Sequence, residues 1–184
     1  IRQVRTEVEH LLIVDSGDLF AGTALPSGYQ GEATVAAMNL MGYDAVAVGN
    51  HDFDFGTRHL KELHKAATFP FLCSNVRPQE PDTCTRYVIK TLGTLRIGLI
   101  GLIGRKNYAD AFNRAIAREV EFHDPIAAAK KVVEELRDRV DLLVAITHQD
   151  TEEDLALAKG VPALDVIIGG HTEGFDGLVS TGTT

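Results

Sequence analysis

The sequence predicts an α/β domain with one antiparallel hairpin inside it. Short apolar runs alternate with stretches whose apolar residues recur at helical spacing. The runs 87–92 and 95–103 flank Gly93-Thr94, where glycine supplies the tight turn of a hairpin. Several apolar runs also stop abruptly in Gly-rich polar turns, as buried strands do where they meet a loop.

The elements follow in chain order. Val4, Val8 and Leu11 recur at helical spacing near the start. Residues 10–14 read as a short buried strand that ends in Asp15-Ser16-Gly17-Asp18. Residues 31–41 read as a helix, with Gly42 as its C-cap. Residues 44–48 form the next strand and run into Gly49-Asn50-His51-Asp52. A helix is expected over 57–67, with Leu60, Leu63 and Ala67 on one face and Thr57 as the capping residue.

A third strand is expected over 69–76, followed by a polar, proline-containing loop over 78–84 and then the hairpin. Residues 107–118 read as helical. Asp124-Pro125 opens a longer helix to about Val140, with aspartate as N-cap and proline in the first turn. Residues 141–147 form a buried strand, 151–159 a helix closed by Gly160, and 164–168 a last buried strand ending in Gly169-Gly170-His171. The tail 179–184 reads as a strand cut short.

With 184 residues, the chain is sized for one domain and can bury a core without disulfide staples. Its 45% hydrophobic and 24% charged residues exclude wholesale disorder. No apolar run approaches the roughly 18 residues of a membrane span. The net charge of −8, with no Lys/Arg cluster beyond short pairs, argues against a nucleic-acid partner. It leaves open a small anionic substrate, because a bound metal reverses the sign of charge locally. Cys73 lies in an apolar run and reads first as a buried thiol; a Cys73–Cys84 disulfide is the alternative, restricted to an oxidising compartment.

The chemistry is positional. Four strands end in residues of ligand type: Asp18, Asn50 with His51, His148, and His171. In open α/β sheets, ligands bind at the carboxyl ends of strands. One carboxylate, one amide and two imidazoles there suit zinc, iron or manganese. Each residue alone has a plainer reading. Asp18 and Asn50 are ordinary turn residues, His148 a core histidine bonded to backbone, and His171 a turn cap. Their occurrence together at successive strand ends favours a metal site. His51 and Asp54, three apart, meet if that segment turns helically; otherwise Asp54 is a cap or a solvated acid.

Gly17-Asp18, Gly49-Asn50-His51-Asp52, His148 and Gly170-His171 resemble the ordered signature of the calcineurin-like metallophosphoesterases. The longer run Gly49-Asn50-His51-Asp52-Phe53-Asp54-Phe55-Gly56 is similar to the 5′-nucleotidase branch, as are Cys73-Ser74-Asn75-Val76 and Ile97-Gly98-Leu99-Ile100-Gly101. The resemblance implies a β-sandwich core flanked by helices, in α-β-β-α layers, and a hydrolase using two divalent metals. Asp18 would bridge both metals, and Asn50, His148 and His171 would complete the second site. His51, oriented by Asp54, would face the scissile phosphate, and Asn50 and His51 would both touch substrate. Asp52 would stand behind the ligands or face solvent.

The resemblance further implies a small phosphorylated substrate, in particular a nucleotide, and a periplasmic or extracellular location. It also implies an upstream Asp-x-His strand and a C-terminal substrate domain that residues 1–184 do not contain, so the sequence reads as a catalytic-domain fragment. The last motif is Gly170-His171-Thr172-Glu173 where a second histidine is usual; Glu173 is either a metal ligand or a surface acid. Cyclic phosphodiesterase, UDP-sugar hydrolase, thiohydrolase and a catalytically degenerate binding domain remain the competing functions.

Overall fold

The computed structural model describes residues 1–20, 28–106, 108, 118–172 and 179–180. Three parallel strands form one sheet in sequential order: β1 (Val14–Asp15), β2 (Ala45–Ala47) and β3 (Phe71–Leu72). A second sheet holds β5 (Tyr87–Leu92), β6 (Leu95–Ile103), β8 (Leu142–Gln149) and β9 (Val166–His171) in that order. Its β5–β6 pair is the expected antiparallel hairpin, turning at Gly93 with φ 61°, and β6, β8 and β9 run parallel. A small antiparallel pair joins β4 (Val76–Pro78) to β7 (Val120–Phe122).

Three apolar clusters set the layers. Ala45, Ala47 and Leu72 from the first sheet meet Ile97, Leu99, Val144 and Ile146 from the second, so the sheets pack face to face. The outer face of the first sheet is covered by Val35 and Met38 of α2 (Glu32–Met41) and by Leu60 and Leu63 of α3 (Thr57–Ala66). The outer face of the second is covered by Ala129, Val132, Val133 and Leu136 of α4 (Pro125–Leu136) and Leu157 of α5 (Thr151–Gly160). These are the expected α-β-β-α layers. A short α1 (Arg2–Glu7) precedes them and is left by Val8 in extended backbone, so the helical spacing noted to Leu11 does not persist.

Local chemistry explains most of the elements. Asp124 caps α4, accepting the Ala127 N–H at 2.8 Å, with Pro125 in the first turn. Gly42 closes α2 in the left-handed conformation at φ 71°. Helix α4 stops at Leu136, short of Val140, and β9 starts at Val166 but runs on to His171.

Three expectations are corrected. Thr57 does not cap α3 with its own oxygen. Gly56 is the cap residue, and Glu119 reaches across 62 positions to accept both the Thr57 N–H and its hydroxyl. The strand expected over 69–76 is two strands in different sheets. Asn75, fully buried, turns the chain by pairing its side-chain amide with both the N–H and the C=O of Ile103, each at 2.9 Å. Cys73 is not a free thiol but is joined to Cys84. The helix expected over 107–118 falls mostly outside the described residues, as does most of the strand expected over 179–184.

Candidate metal centre

Carboxyl ends of strands from the two packed sheets come together at one seam, and the candidate residues gather there. The loop after β1 carries Asp18 and the turn after β2 carries Asn50 and His51, while the end of β8 carries His148 and the end of β9 carries His171. Ligand-type atoms of Asp18, His148 and His171 all lie within 4.8 Å of one another. The Nε2 of His148 is 3.2 Å from Asp18 Oδ2 and 3.1 Å from the amide oxygen of Asn50. The His171 ring stands edge-on to that of His148, with centroids 5.0 Å apart. His171 Nε2 also lies 3.6 Å from Asp150 Oδ1, whose other oxygen holds Lys106 at 2.8 Å.

Backbone geometry at the site is unusual for its residue types. Asp18 and His171 both adopt left-handed conformations, at φ 61° and 78°. Gly17 and Gly49 press against each other so closely that a Cβ on Gly17 would overlap the Gly49 backbone, and one on Gly49 would overlap Asp18. Close approach requires glycine at both positions, and at Gly17 a φ of 99° requires it as well.

Burial deepens towards His148, which is 2% exposed, and Asn50, at 3%. His148 Nδ1 lies 2.8 Å from the carbonyl oxygen of Ser16. A carbonyl can only accept, so Nδ1 carries a proton, and in the neutral ring Nε2 offers the lone pair that a cation would take. Burial opposes protonation of His148, but the Asp18 carboxylate and the Ser16 carbonyl outweigh it and raise its pKa. Burial likewise works to raise Asp18, yet the hydrogen bond and charge of His148, with the His51 N–H, bring it below the ordinary carboxylate value. One carboxylate, one amide oxygen and two imidazoles, with one imidazole fixed from behind by a carbonyl, fit a divalent cation.

His51 and Asp54 are brought together beside this cluster. Residues His51–Phe53 form a 3₁₀ turn, and His51 Nδ1 meets Asp54 Oδ2 at 3.0 Å. The carboxylate fixes the Nδ1–H tautomer and leaves Nε2 available, on a side chain that is 53% exposed. The His51 N–H donates to Asp18 Oδ1 at 2.9 Å, so the pair is anchored to the centre through backbone. Glu173 lies outside the described residues.

Asp52 is the residue that the sequence reading left undecided. It does not face solvent: it is 2% exposed. Its carboxylate accepts the N–H groups of Asp18, Leu19, Phe20 and Gly49. Burial pushes the carboxyl up to about 7, with the Gly49, Leu19 and Asp18 N–H bonds acting in the opposite sense. An acid between a histidine and a phenylalanine is the only sequence signal of that burial. Ser16 acts through its main chain and leaves no signal.

Calcineurin-like phosphoesterase is the family whose pattern matches residues 1–173. The chain belongs to that family. Across 183 residues it is 32% identical to a 5′-nucleotidase of Bos taurus, covering 95% of this chain and 31% of the relative. It is also 32% identical to the protein UshA of Yersinia enterocolitica, over 94% of this chain and 34% of the relative. It thus spans about a third of the length of these relatives. Among solved structures, a 5′-nucleotidase precursor from Thermus thermophilus superposes with a TM-score of 0.82 at 33% identity, covering 92% of this chain and 34% of that one. The NAD nucleotidase of Haemophilus influenzae superposes with a TM-score of 0.81 at 26% identity, covering 95% and 36%. Calcineurin-like phosphoesterases use divalent metals, in keeping with the donor set at the seam.

Proposed function

We propose that the protein carrying this domain is a metal-dependent phosphoric ester hydrolase, specifically a phosphomonoesterase of the 5′-nucleotidase type. The observation that supports this reading most is the gathering of Asp18, Asn50, His148 and His171 at one seam, with the His51–Asp54 pair anchored beside them.

Asp18, Asn50, His148 and His171 would hold a divalent cation, which lowers the pKa of bound water and offsets charge on phosphoryl oxygens. The Ser16 carbonyl keeps a proton on His148 Nδ1, so Nε2 stays a donor. Asp54 accepts the His51 Nδ1–H and orients the ring, so Nε2 is the atom that would pass a proton to a leaving alkoxide. Asn50 contributes its amide oxygen to the cluster and His51 follows it in the same turn, so both would meet a phosphoryl group bound there. Two metals would require donors beyond the one cluster found among the described residues. The Cys73–Cys84 disulfide supports an oxidising, extracytoplasmic setting.

The test is hydrolysis by the protein carrying this domain, with and without added zinc or manganese, read as phosphate from 5′-nucleotides, monophosphate from cyclic nucleotides, UMP from UDP-sugars and sulfate from thiosulfate esters. Metal-dependent release from 5′-nucleotides supports the reading. Preference for another substrate replaces it by a different hydrolase on the same scaffold, and no release from any substrate contradicts it.

A further inference from the structure

Two carboxylates at the seam exchange backbone amides. Asp52 belongs to the turn after β2, yet three of the four N–H groups it accepts come from the loop after β1. Its Oδ1 takes Leu19 at 2.7 Å and Phe20 at 3.2 Å, and its Oδ2 takes Asp18 at 3.0 Å and Gly49 of its own turn at 2.8 Å. Asp18 returns the exchange, its Oδ1 accepting the His51 N–H at 2.9 Å. The two segments are more than 30 residues apart in sequence.

Asp52 touches none of the candidate ligand atoms. Its effect passes through backbone. Each of its oxygens faces two donors, so no lone pair is left for anything else. Three consecutive N–H groups, from Asp18 to Phe20, point at one carboxylate, and this fixes the chain where Asp18 sits at φ 61°. That conformation is uncommon for a residue with a Cβ and persists where its surroundings hold it. The fourth bond, from Gly49, fixes the Val48–Gly49 peptide, one residue ahead of Asn50. One buried carboxylate therefore sets the position of a ligand carboxylate on one loop and a ligand amide on the other.

We infer that Asp52 is a positioning residue for the metal centre: its carboxylate holds the Asp18 loop and the Asn50–His51 turn in the geometry that binds a divalent cation. This deepens the proposed function and rests on it. Asp52→Asn is the sharpest variant. It keeps shape and burial but turns one oxygen into an amide that faces two N–H donors, so two of the four bonds are lost and donors oppose donors. Loss of such a supporting partner typically lowers metal affinity by about 10–100-fold.

The experiment is a zinc titration of the full chain against a competing chromogenic chelator, with a thermal melt on each protein. Four proteins are compared: the natural sequence, Asp52→Asn, Asp52→Glu, and Val46→Ala. Val46→Ala is a control, destabilised by a cavity in the first sheet, away from the ligands. The expected result is a cooperative melt for all four, with zinc binding weakened about 10–100-fold in Asp52→Asn. Binding falls less in Asp52→Glu, which keeps two acceptor oxygens, and is unchanged in Val46→Ala. If Asp52→Asn does not fold, Asp52→Glu carries the comparison, and weaker zinc binding than the natural sequence is again the expected result. Zinc binding by the testable Asp52 variant equal to that of the natural sequence, or a loss matched by Val46→Ala at equal destabilisation, overturns the inference while leaving the metal centre standing. Failure of the natural sequence to bind zinc overturns the metal centre itself, and the inference with it.

Discussion

His148 donates its Nδ1–H to the main-chain carbonyl of Ser16 at 2.8 Å, a bond between residues 132 positions apart. Ser16 follows β1 of one sheet and His148 is next to last in β8 of the other, so this bond closes the seam where the candidate ligands gather. It also fixes the tautomer that leaves Nε2 facing Asp18 and Asn50.

Removing that imidazole should therefore abolish the centre more than the fold. His148→Ala is expected to lose stoichiometric zinc binding after desalting. Its far-UV circular dichroism spectrum should remain that of the natural sequence. Retention of a full equivalent of zinc would argue against His148 as a ligand.

His51 is expected to act on turnover and not on metal content. General acid–base groups typically contribute about 10²–10⁴-fold, and His51→Ala should lower kcat within that range while zinc content stays constant. Asp54→Asn should produce a smaller fall, because it loosens the tautomer without removing the imidazole. Steady-state kinetics with parallel metal analysis checks both.

Asp124 gives a pH-dependent prediction. The Ala127 N–H, with Arg105 beside it, holds its carboxyl below the unfolded value of 3.8. A carboxyl lowered by folding contributes stability above the unfolded pKa and loses it as pH falls through the folded one. Asp124→Ala should cost about 1 kcal/mol at pH 7, as loss of an N-cap does. Urea unfolding should show the gap between the two proteins narrowing below about pH 4.

The interface between the sheets should be the most sensitive part of the core. Leu72 of β3 is fully buried against the second sheet, and Leu72→Ala should cost about 2–5 kcal/mol, through lost burial and a cavity. The same substitution at exposed Leu40 should change stability by less than about 0.5 kcal/mol. Urea midpoints compare the two.

The disulfide closes a short loop, with a sequence separation of 11. Replacing Cys73 and Cys84 together by alanine should lower stability by about 2–4 kcal/mol, towards the lower end because the loop is short. Zinc affinity should not change.

Much of this arrangement was legible in the sequence because strands, turns and ligand types are local signals. Residues 10–14, 44–48, 141–147 and 164–168 each read as an apolar run ending in polar residues; only Val14 of the first lies in strand β1, which continues to Asp15, yet the ends of the strands still bring Asp18, Asn50, His148 and His171 together. Asp124-Pro125 and Gly42 were legible because caps use side chains and backbone within a few residues. What the sequence hid acts at long range. Glu119 satisfies the start of α3 from 62 positions away. Asn75 imitates a strand partner for Ile103 and so splits one apolar run between two sheets. Asp52 looked like any acid in a turn because its partners are main-chain amides of another loop. Cys73 was read from its apolar neighbours, which report burial but not pairing.

The central claim is that Asp18, Asn50, His148 and His171 hold one divalent cation. Anomalous diffraction at the zinc edge, from crystals of the chain grown with zinc, tests it most directly. A single strong peak is expected at the seam, about 2.0–2.2 Å from His148 Nε2 and from a carboxylate oxygen of Asp18. A peak on other residues, or none at the seam in zinc-soaked crystals, would contradict the account.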